Sequence, residues 1–303
     1  MRLQTTIDKT VTERGIGLHC GLEAQLWIYP APADHGIVFR NRHGKIAIPA
    51  QVDHAQELAF ATRLGLGEVS LSTVEHLLSA LRGLEIDNVL IEFEGEEVPI
   101  LDGSAACFVG LLDAAGVRTQ DRPATAIRIT SPIEVRDGSK WIRVEPANDF
   151  SVDYRISFDN PLVGYQRYVG KITPNVYREA IAPARTFGFL KDVKYLKSQG
   201  LALGGSFSNC VVVDERRVIS GELRFPDEFV RHKVLDLIGD LALLEYPLLA
   251  SVTAHKAGHA LHAALVRQIL AHPEKWEIVG GDVNETFVMP YAMDAEAPAA
   301  LAM

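Results

Sequence analysis

The chain has 303 residues, 48% hydrophobic and 23% charged, with a formal net charge of −9, the balance of a soluble globular protein long enough for two ordinary domains. The acidic balance argues against general nucleic-acid binding, which relies on Lys and Arg neutralising phosphates, but it leaves room for a local basic pocket. Cys20, Cys107 and Cys210 spell neither a disulfide framework nor a CxxC zinc knuckle, and no signal-like start or run of 18 apolar residues occurs, so a cytoplasmic protein without a transmembrane segment is expected.

In chain order, residues 1–70 read as strands joined by tight turns, with Gly, Pro and Asn breaking the β-favouring stretches HCGLEAQLWIYPAP and HGIVFRNRHGKIAIPA. A helix is predicted at STVEHLLSALRGL, a strand at NVLIEFEG and a second helix within ILDGSAACFVGLLDAAGV. Residues 118–126, RTQDRPATA, are polar, contain proline and form the candidate linker. The pattern then restarts. AIRITSPIEV and KWIRVEP read as a hairpin with Asp137-Gly138 at its turn, followed by a strand in FSVDYRISF, a helical segment over 175–182 and the strand-like CVVVDERRVI. FVRHKVLDLIGDLALLEY, residues 229–246, is a helix apolar on nearly every side, and the strand LLASVTAH and helix GHALHAALVRQILAH close this half. Both halves run strands first and then mix helices with strands, which predicts an α+β fold. The expected division is an N-terminal α+β domain over 1–120, a C-terminal α+β domain over 126–285, and a small Ala-rich tail over 286–303, frayed at its end.

The 229–246 helix carries His232, Asp236 and Asp240 at intervals of four, which stacks them on one face with a drift of about 40° per step. Buried charges end up paired or bound to metal. His232 and Asp236 thus read either as a helical two-ligand metal pair or as a hydrogen-bonded core pair, with Asp240 a turn beyond and Lys233 off that face, toward a cleft or solvent. In STVEH, Ser72 and Glu75 suit a capping box, while Glu75 and His76 together could place a carboxylate beside a metal and a ligand on it. His255 and His259 have HxxxH spacing. Gly258 more naturally starts a helix, leaving His255 on the strand before it and His259 at a helix start, a common place for an acid–base group. GLALGGSFSN, residues 200–209, resembles a phosphate-cradling glycine loop but fits no P-loop pattern.

Together with GIGLHCG, GLEIDNVLIE, VPILDGSAA, ARTFGFLKDVKYLKSQGLALGGS and LRFPDEFVRHKVLDLIGDLALL, these motifs resemble one family over almost the whole chain. That family is the UDP-3-O-acyl-N-acetylglucosamine deacetylases, zinc amidases of lipid A synthesis. The resemblance implies two similar α+β domains with the site where they meet. It implies zinc ligands at His76, His232 and Asp236, which leaves a fourth position open. Either Zn2+ or Fe2+ suits such a donor set. Glu75 matches the general base, expected to be held ionised by the helix N-terminus. Thr186 matches a residue sharing the oxyanion with the metal, His259 the cation that protonates the departing amine, and Asp240 the carboxylate that orients it. The implied substrate is a UDP-glucosamine with a 2-acetamido group and a 3-O-hydroxyacyl chain. Phe187, Leu190, Val193, Leu196, Ala202, Ser206 and Val212 are candidates to line a channel for that chain, with ordinary core packing as the alternative. Lys233 matches a residue near the diphosphate, and His19 one that binds substrate or supports a turn. Two departures stand out: Ala257 where many members have Ser, and His255 where others carry an aromatic residue, an extra imidazole expected close to the site. The competing readings are a zinc hydrolase of another amide or ester and a metal-dependent binding module without catalysis. A monomer is expected.

Overall fold

Alternation of apolar and polar residues sets the first sheet. In Glu23–Pro30, Ala24, Leu26 and Ile28 turn inward while their neighbours face outward. The computed structural model describes residues 2–281 apart from Lys45 and Glu57, so the predicted tail, 286–303, lies outside the described residues.

Five strands form the sheet of the first half in the order Val11–Ile16, Glu23–Pro30, Val89–Glu94, Ile37–Asn41 and Ala47–Pro49. All neighbours are antiparallel except Ile37–Asn41, which runs parallel to Val89–Glu94. The second half is built on a seven-stranded mixed sheet. At its centre Leu248–His255 lies antiparallel to Lys140–Pro146 and parallel to both Ser151–Ser157 and Thr125–Ile129. Each half ends on the same succession of helix, strand and helix. These are Glu75–Gly83, Val89–Glu94 and Ala106–Ala115 in the first, and Glu228–Leu241, Leu248–His255 and His259–Leu270 in the second. The fold is α+β, as the sequence predicts, and one hydrophobic core runs unbroken through both halves.

The two halves meet through Glu75–Gly83 and Glu228–Leu241, which pack against each other. Their approach is close enough that a Cβ on Gly239 would stand 2.1 Å from the backbone oxygen of Glu75. Backbone cannot yield as a flexible side chain can, so Gly239→Ala must push the helices apart. The expected cost is about 1–3 kcal/mol, the range for overpacking a core. Activity should fall with it, because both helices carry site residues; a denaturant melt and an assay on the same preparation check this.

Three local expectations change. The candidate linker is structured: Val117–Pro123 pairs antiparallel with Leu3–Ile7, and Thr125–Ile129 pairs with Trp276–Gly280. Its polar residues belong to a largely exposed strand, a pattern easily taken for a linker. The hairpin turn sits one residue later than predicted, since Asp137 pairs with Lys140 and leaves Gly138-Ser139 as the loop, with Gly138 at φ +58°. Ser72 caps no helix. It lies in an extended segment, its hydroxyl accepts from Arg63 Nε, and the helix begins at Glu75 after Thr73 at φ +57°. A β-branched residue is strained there, and the buried Thr73 hydroxyl is tied to Glu97 Oε1 at 2.7 Å.

Candidate metal centre and active site

His76 enters from the first-half helix, and His232 and Asp236 enter from successive turns of the second-half helix; all three are buried. One ligand atom from each lies within 4.8 Å of the others. His232 Nδ1 faces the Ala184 carbonyl at 3.1 Å and donates to it, so Nε2 carries a lone pair. That lone pair points at Asp236 Oδ1 from 3.3 Å, and His76 Nε2 approaches the same oxygen at 3.8 Å. Two acceptors facing each other inside a core repel unless a cation lies between them. Donors about 2.0–2.2 Å from a tetrahedral ion stand about 3.3–3.6 Å apart, close to the spacings found here. The protonation states also fit a ligand set. Burial, reinforced by His232, pushes His76 down to about 3, and burial lowers His232 as well, so both imidazoles are neutral near pH 7. Burial alone would raise the Asp236 carboxyl, but His232 and Lys233 hold it well below the usual range. The residues fit one divalent ion.

Asp240, His259 and His262 also converge. Here, though, the donors are spent on one another: Asp240 Oδ2 accepts from His259 Nδ1 at 2.8 Å and from His262 Nδ1 at 2.7 Å. Thr62 closes the arrangement, its hydroxyl donating to Asp240 Oδ1 at 2.5 Å and its backbone N–H to Glu75 Oε2 at 3.0 Å. Burial would lower the His259 imidazolium, but Asp240, with Asp236 and Glu75, raises it to about 9. Its Nε2 faces the metal donors, 3.9 Å from Asp236 Oδ2. Burial pushes Glu75 up to about 8, against the pull of His259 and with Asp240 and Asp236 adding to the rise. Burial therefore opposes the helix start, which is expected to keep this carboxylate ionised. A divalent cation at the adjacent donors acts in the opposite sense and returns the group toward its ionised form.

The other expected residues fall as follows. Thr186 lies between Ala184, whose carbonyl bonds the His232 ring, and Phe187, whose ring packs 6.3 Å from it edge to face, and its N–H donates to the Gly103 carbonyl at 2.7 Å. Lys233, expected off the ligand face, bonds Asp236 Oδ2 at 2.8 Å, which leaves Oδ1 for the imidazoles. His19 sits in a turn whose backbone N–H groups at His19 and Cys20 donate to the buried Glu97. His255 does end its strand, as read, but its ring packs on Trp141 at 6.2 Å and belongs to neither donor cluster. The glycine-loop alternative for 200–209 loses its basis. The Leu203 and Gly204 N–H groups already donate to His19 and Leu18 carbonyls, and a Cβ on Gly204 would stand 2.2 Å from the Gly17 oxygen.

Of the channel candidates, Val212 is buried in a strand, Val211–Val213, that pairs with Phe187–Phe189. Leu190, Val193 and Leu196 lie on a helix, Leu190–Ser198, with no buried residue, so ordinary core packing does not account for them. Leu190, Tyr195, Leu203 and Phe207 are all exposed along this segment. Ala202, at φ +54°, and Ser206 lie in the turn that follows. Three buried partners carry no local signal in the sequence, Thr62, Glu97 and Tyr154, and His262 stands in the TAHKAGHALHAAL stretch without an assigned role. His262 stands three residues after His259 and hence on the same helical face.

Three convergent donors beside a buried carboxyl and a raised imidazolium suit water activation and protonation of a leaving group, the chemistry of metal-dependent hydrolases. Comparison with known proteins narrows the class. The sequence model of the family described as UDP-3-O-acyl N-acetylglycosamine deacetylase matches residues 4–271. A UDP-3-O-acyl-N-acetylglucosamine deacetylase of Oleidesulfovibrio alaskensis is 46% identical over 98% of this chain and 97% of its own length. Proteins of the same name from Anaeromyxobacter and Shewanella frigidimarina are 46% and 42% identical, over 89% and 97% of the chain and 89% and 99% of their own lengths. The chain belongs to the UDP-3-O-acyl N-acetylglycosamine deacetylase family. Among the described residues no helix is long and apolar enough to cross a membrane.

Proposed function

We propose that this protein hydrolyses the 2-acetamido group of a UDP-3-O-(3-hydroxyacyl)-N-acetylglucosamine, releasing acetate and the free amine, with zinc as its metal. The observation that carries this reading is the convergence of two imidazole Nε2 atoms on Asp236 Oδ1 at 3.3 and 3.8 Å, beside Glu75 and His259. An ion held by His76, His232 and Asp236 supplies a Lewis acid that activates water and polarises the amide carbonyl near neutral pH.

Glu75 takes the proton of the attacking water. Thr62 N–H holds one carboxylate oxygen, which leaves the other for that transfer. The Thr186 hydroxyl donates to the developing oxyanion, a contribution of about 3–4 kcal/mol per donor in other hydrolases. His259 delivers its Nε2 proton to the amine while Asp240 fixes Nδ1. This acid works only when protonated, and a bound cation can only lower its value, so kcat should fall as pH rises through a value no higher than about 9. A kcat profile shows this limb, and the residual activity of His259→Ala should lack it.

Lys233 adds positive charge near the diphosphate, and His19, whose imidazole is near enough to His259 to interact with it, binds substrate through an Nδ1 that is buried and without a hydrogen-bond partner among the described residues. The acyl chain runs along Phe187, Leu190, Val193, Leu196, Ala202, Ser206 and Val212. The halves act as two domains, 1–120 and 126–285, with the site between them, in a cytoplasmic monomer. Each buried methylene is worth about 0.8 kcal/mol, so removing a long acyl chain should lower kcat/KM by well over 100-fold. Acetate release from the acylated substrate and from UDP-N-acetylglucosamine measures this ratio. Equal rates would overturn the substrate assignment.

A further inference from the structure

Asp240 is pinned from three directions, by the hydroxyl of Thr62 on Oδ1 and by Nδ1 of both His259 and His262 on Oδ2. His262 continues inward. Its Nε2 lies 2.9 Å from the hydroxyl of Tyr154, which lies 2.9 Å from the carbonyl of Ala257, one residue before the Gly258 that precedes the helix of His259. Tyr154 and His262 have no solvent exposure. The proton count is closed. Oδ2 of an ionised carboxylate only accepts, so His262 carries its hydrogen on Nδ1. A second imidazolium beside His259 in this core is disfavoured, and burial lowers His262, so Nε2 is a lone pair. The single Tyr154 proton is then shared between two acceptors, the Ala257 carbonyl and Nε2 of His262, each 2.9 Å from the hydroxyl oxygen. With both hydroxyl and imidazole committed, the Asp240 carboxylate cannot rotate, and His259 is left one way to bond it: through Nδ1, with Nε2 toward the metal donors.

We propose that His262 and Tyr154 are positioning residues for the reaction, with Tyr154 fixing the tautomer of His262 and His262 fixing the Asp240 carboxylate that aims His259. This rests on His259 being the general acid, which His259→Gln tests separately: a kcat unchanged in that variant removes the acid assignment itself. If His259→Gln is impaired, four further variants at saturating metal address the proposal. Removing such an outer partner costs about 10–100-fold in other metal sites, and that loss in kcat, with KM within about threefold, is expected for His262→Leu. His262→Asn, whose amide N–H can replace Nδ1–H, should recover most of it. Tyr154→Phe should lower kcat in the native background but not in His262→Asn, because Tyr154 acts through the imidazole; a purely structural role would give additive losses instead. The imidazole nitrogen resonances of His262 in native protein read the tautomer directly, and so serve even if His262→Leu does not fold. Hydrogen on Nδ1 supports the proposal. Hydrogen on Nε2, or a folded, metal-loaded His262→Leu with kcat within about twofold of native, overturns it.

Discussion

Replacing Glu75 by glutamine is expected to lower kcat by about 10²–10⁴, the usual contribution of a positioned general base, while the protein still binds one metal ion. The side-chain oxygen of Gln can still accept the Thr62 N–H that Glu75 accepts at 3.0 Å, so the helix start should survive. What the amide cannot do is take a proton from water. The native carboxylate takes that proton only when ionised, the form a divalent cation at the adjacent donors favours, and the loss should fall on kcat rather than KM. Metal content and kcat measured on one preparation decide the matter. Loss of metal from Glu75→Gln would make Glu75 a ligand and reassign the base.

The second large effect is at Asp236. Asp236→Asn keeps the volume of the side chain and a possible contact with Lys233, but it removes the only negative charge among the three converging donors. Outer partners of metal ligands cost about 10–100-fold in affinity when removed, and loss of the charged ligand itself should exceed that. Metal affinity should therefore drop by more than about 100-fold, and activity at one equivalent of metal should disappear. The stabilisation conferred by metal, about 2.7 kcal/mol at a hundred times Kd, should vanish from the melting curve as well. Unaltered affinity in Asp236→Asn would place the ion elsewhere, with the Asp240, His259 and His262 cluster as the next candidate.

Much of this site was legible because helical spacing is rigid. A His and two Asp at intervals of four could only share a face, and an all-round apolar helix could only be buried, so their convergence inside the core followed. The helix start at Gly258, with His255 left on the strand, was legible for the same reason. The failures are equally physical. STVEH satisfies the capping pattern, yet Thr73 turns left-handed and ties its hydroxyl to Glu97, a partner 24 residues away that no local pattern reveals. The stretch 118–126 is polar because Val117–Pro123 is mostly exposed, not because it is free. At Glu75 the helix dipole can be read from sequence, whereas the burial that opposes it cannot. Lys233 pairs with Asp236 at i,i+3, a spacing available in the sequence, but its position one residue from His232 suggested another face. Tyr154 and Thr62 reach Asp240 and its partners from strand and loop, and only the assembled fold brings them there.

The central claim is that His76, His232 and Asp236 hold a hydrolytic metal. The most direct test is acetate release from a UDP-3-O-(hydroxyacyl)-N-acetylglucosamine by metal-stripped protein during a titration with zinc. Activity absent at the start, rising linearly and reaching its plateau at one equivalent is the predicted result. Activity that survives complete stripping, or metal that binds at one equivalent without acetate release, would contradict it.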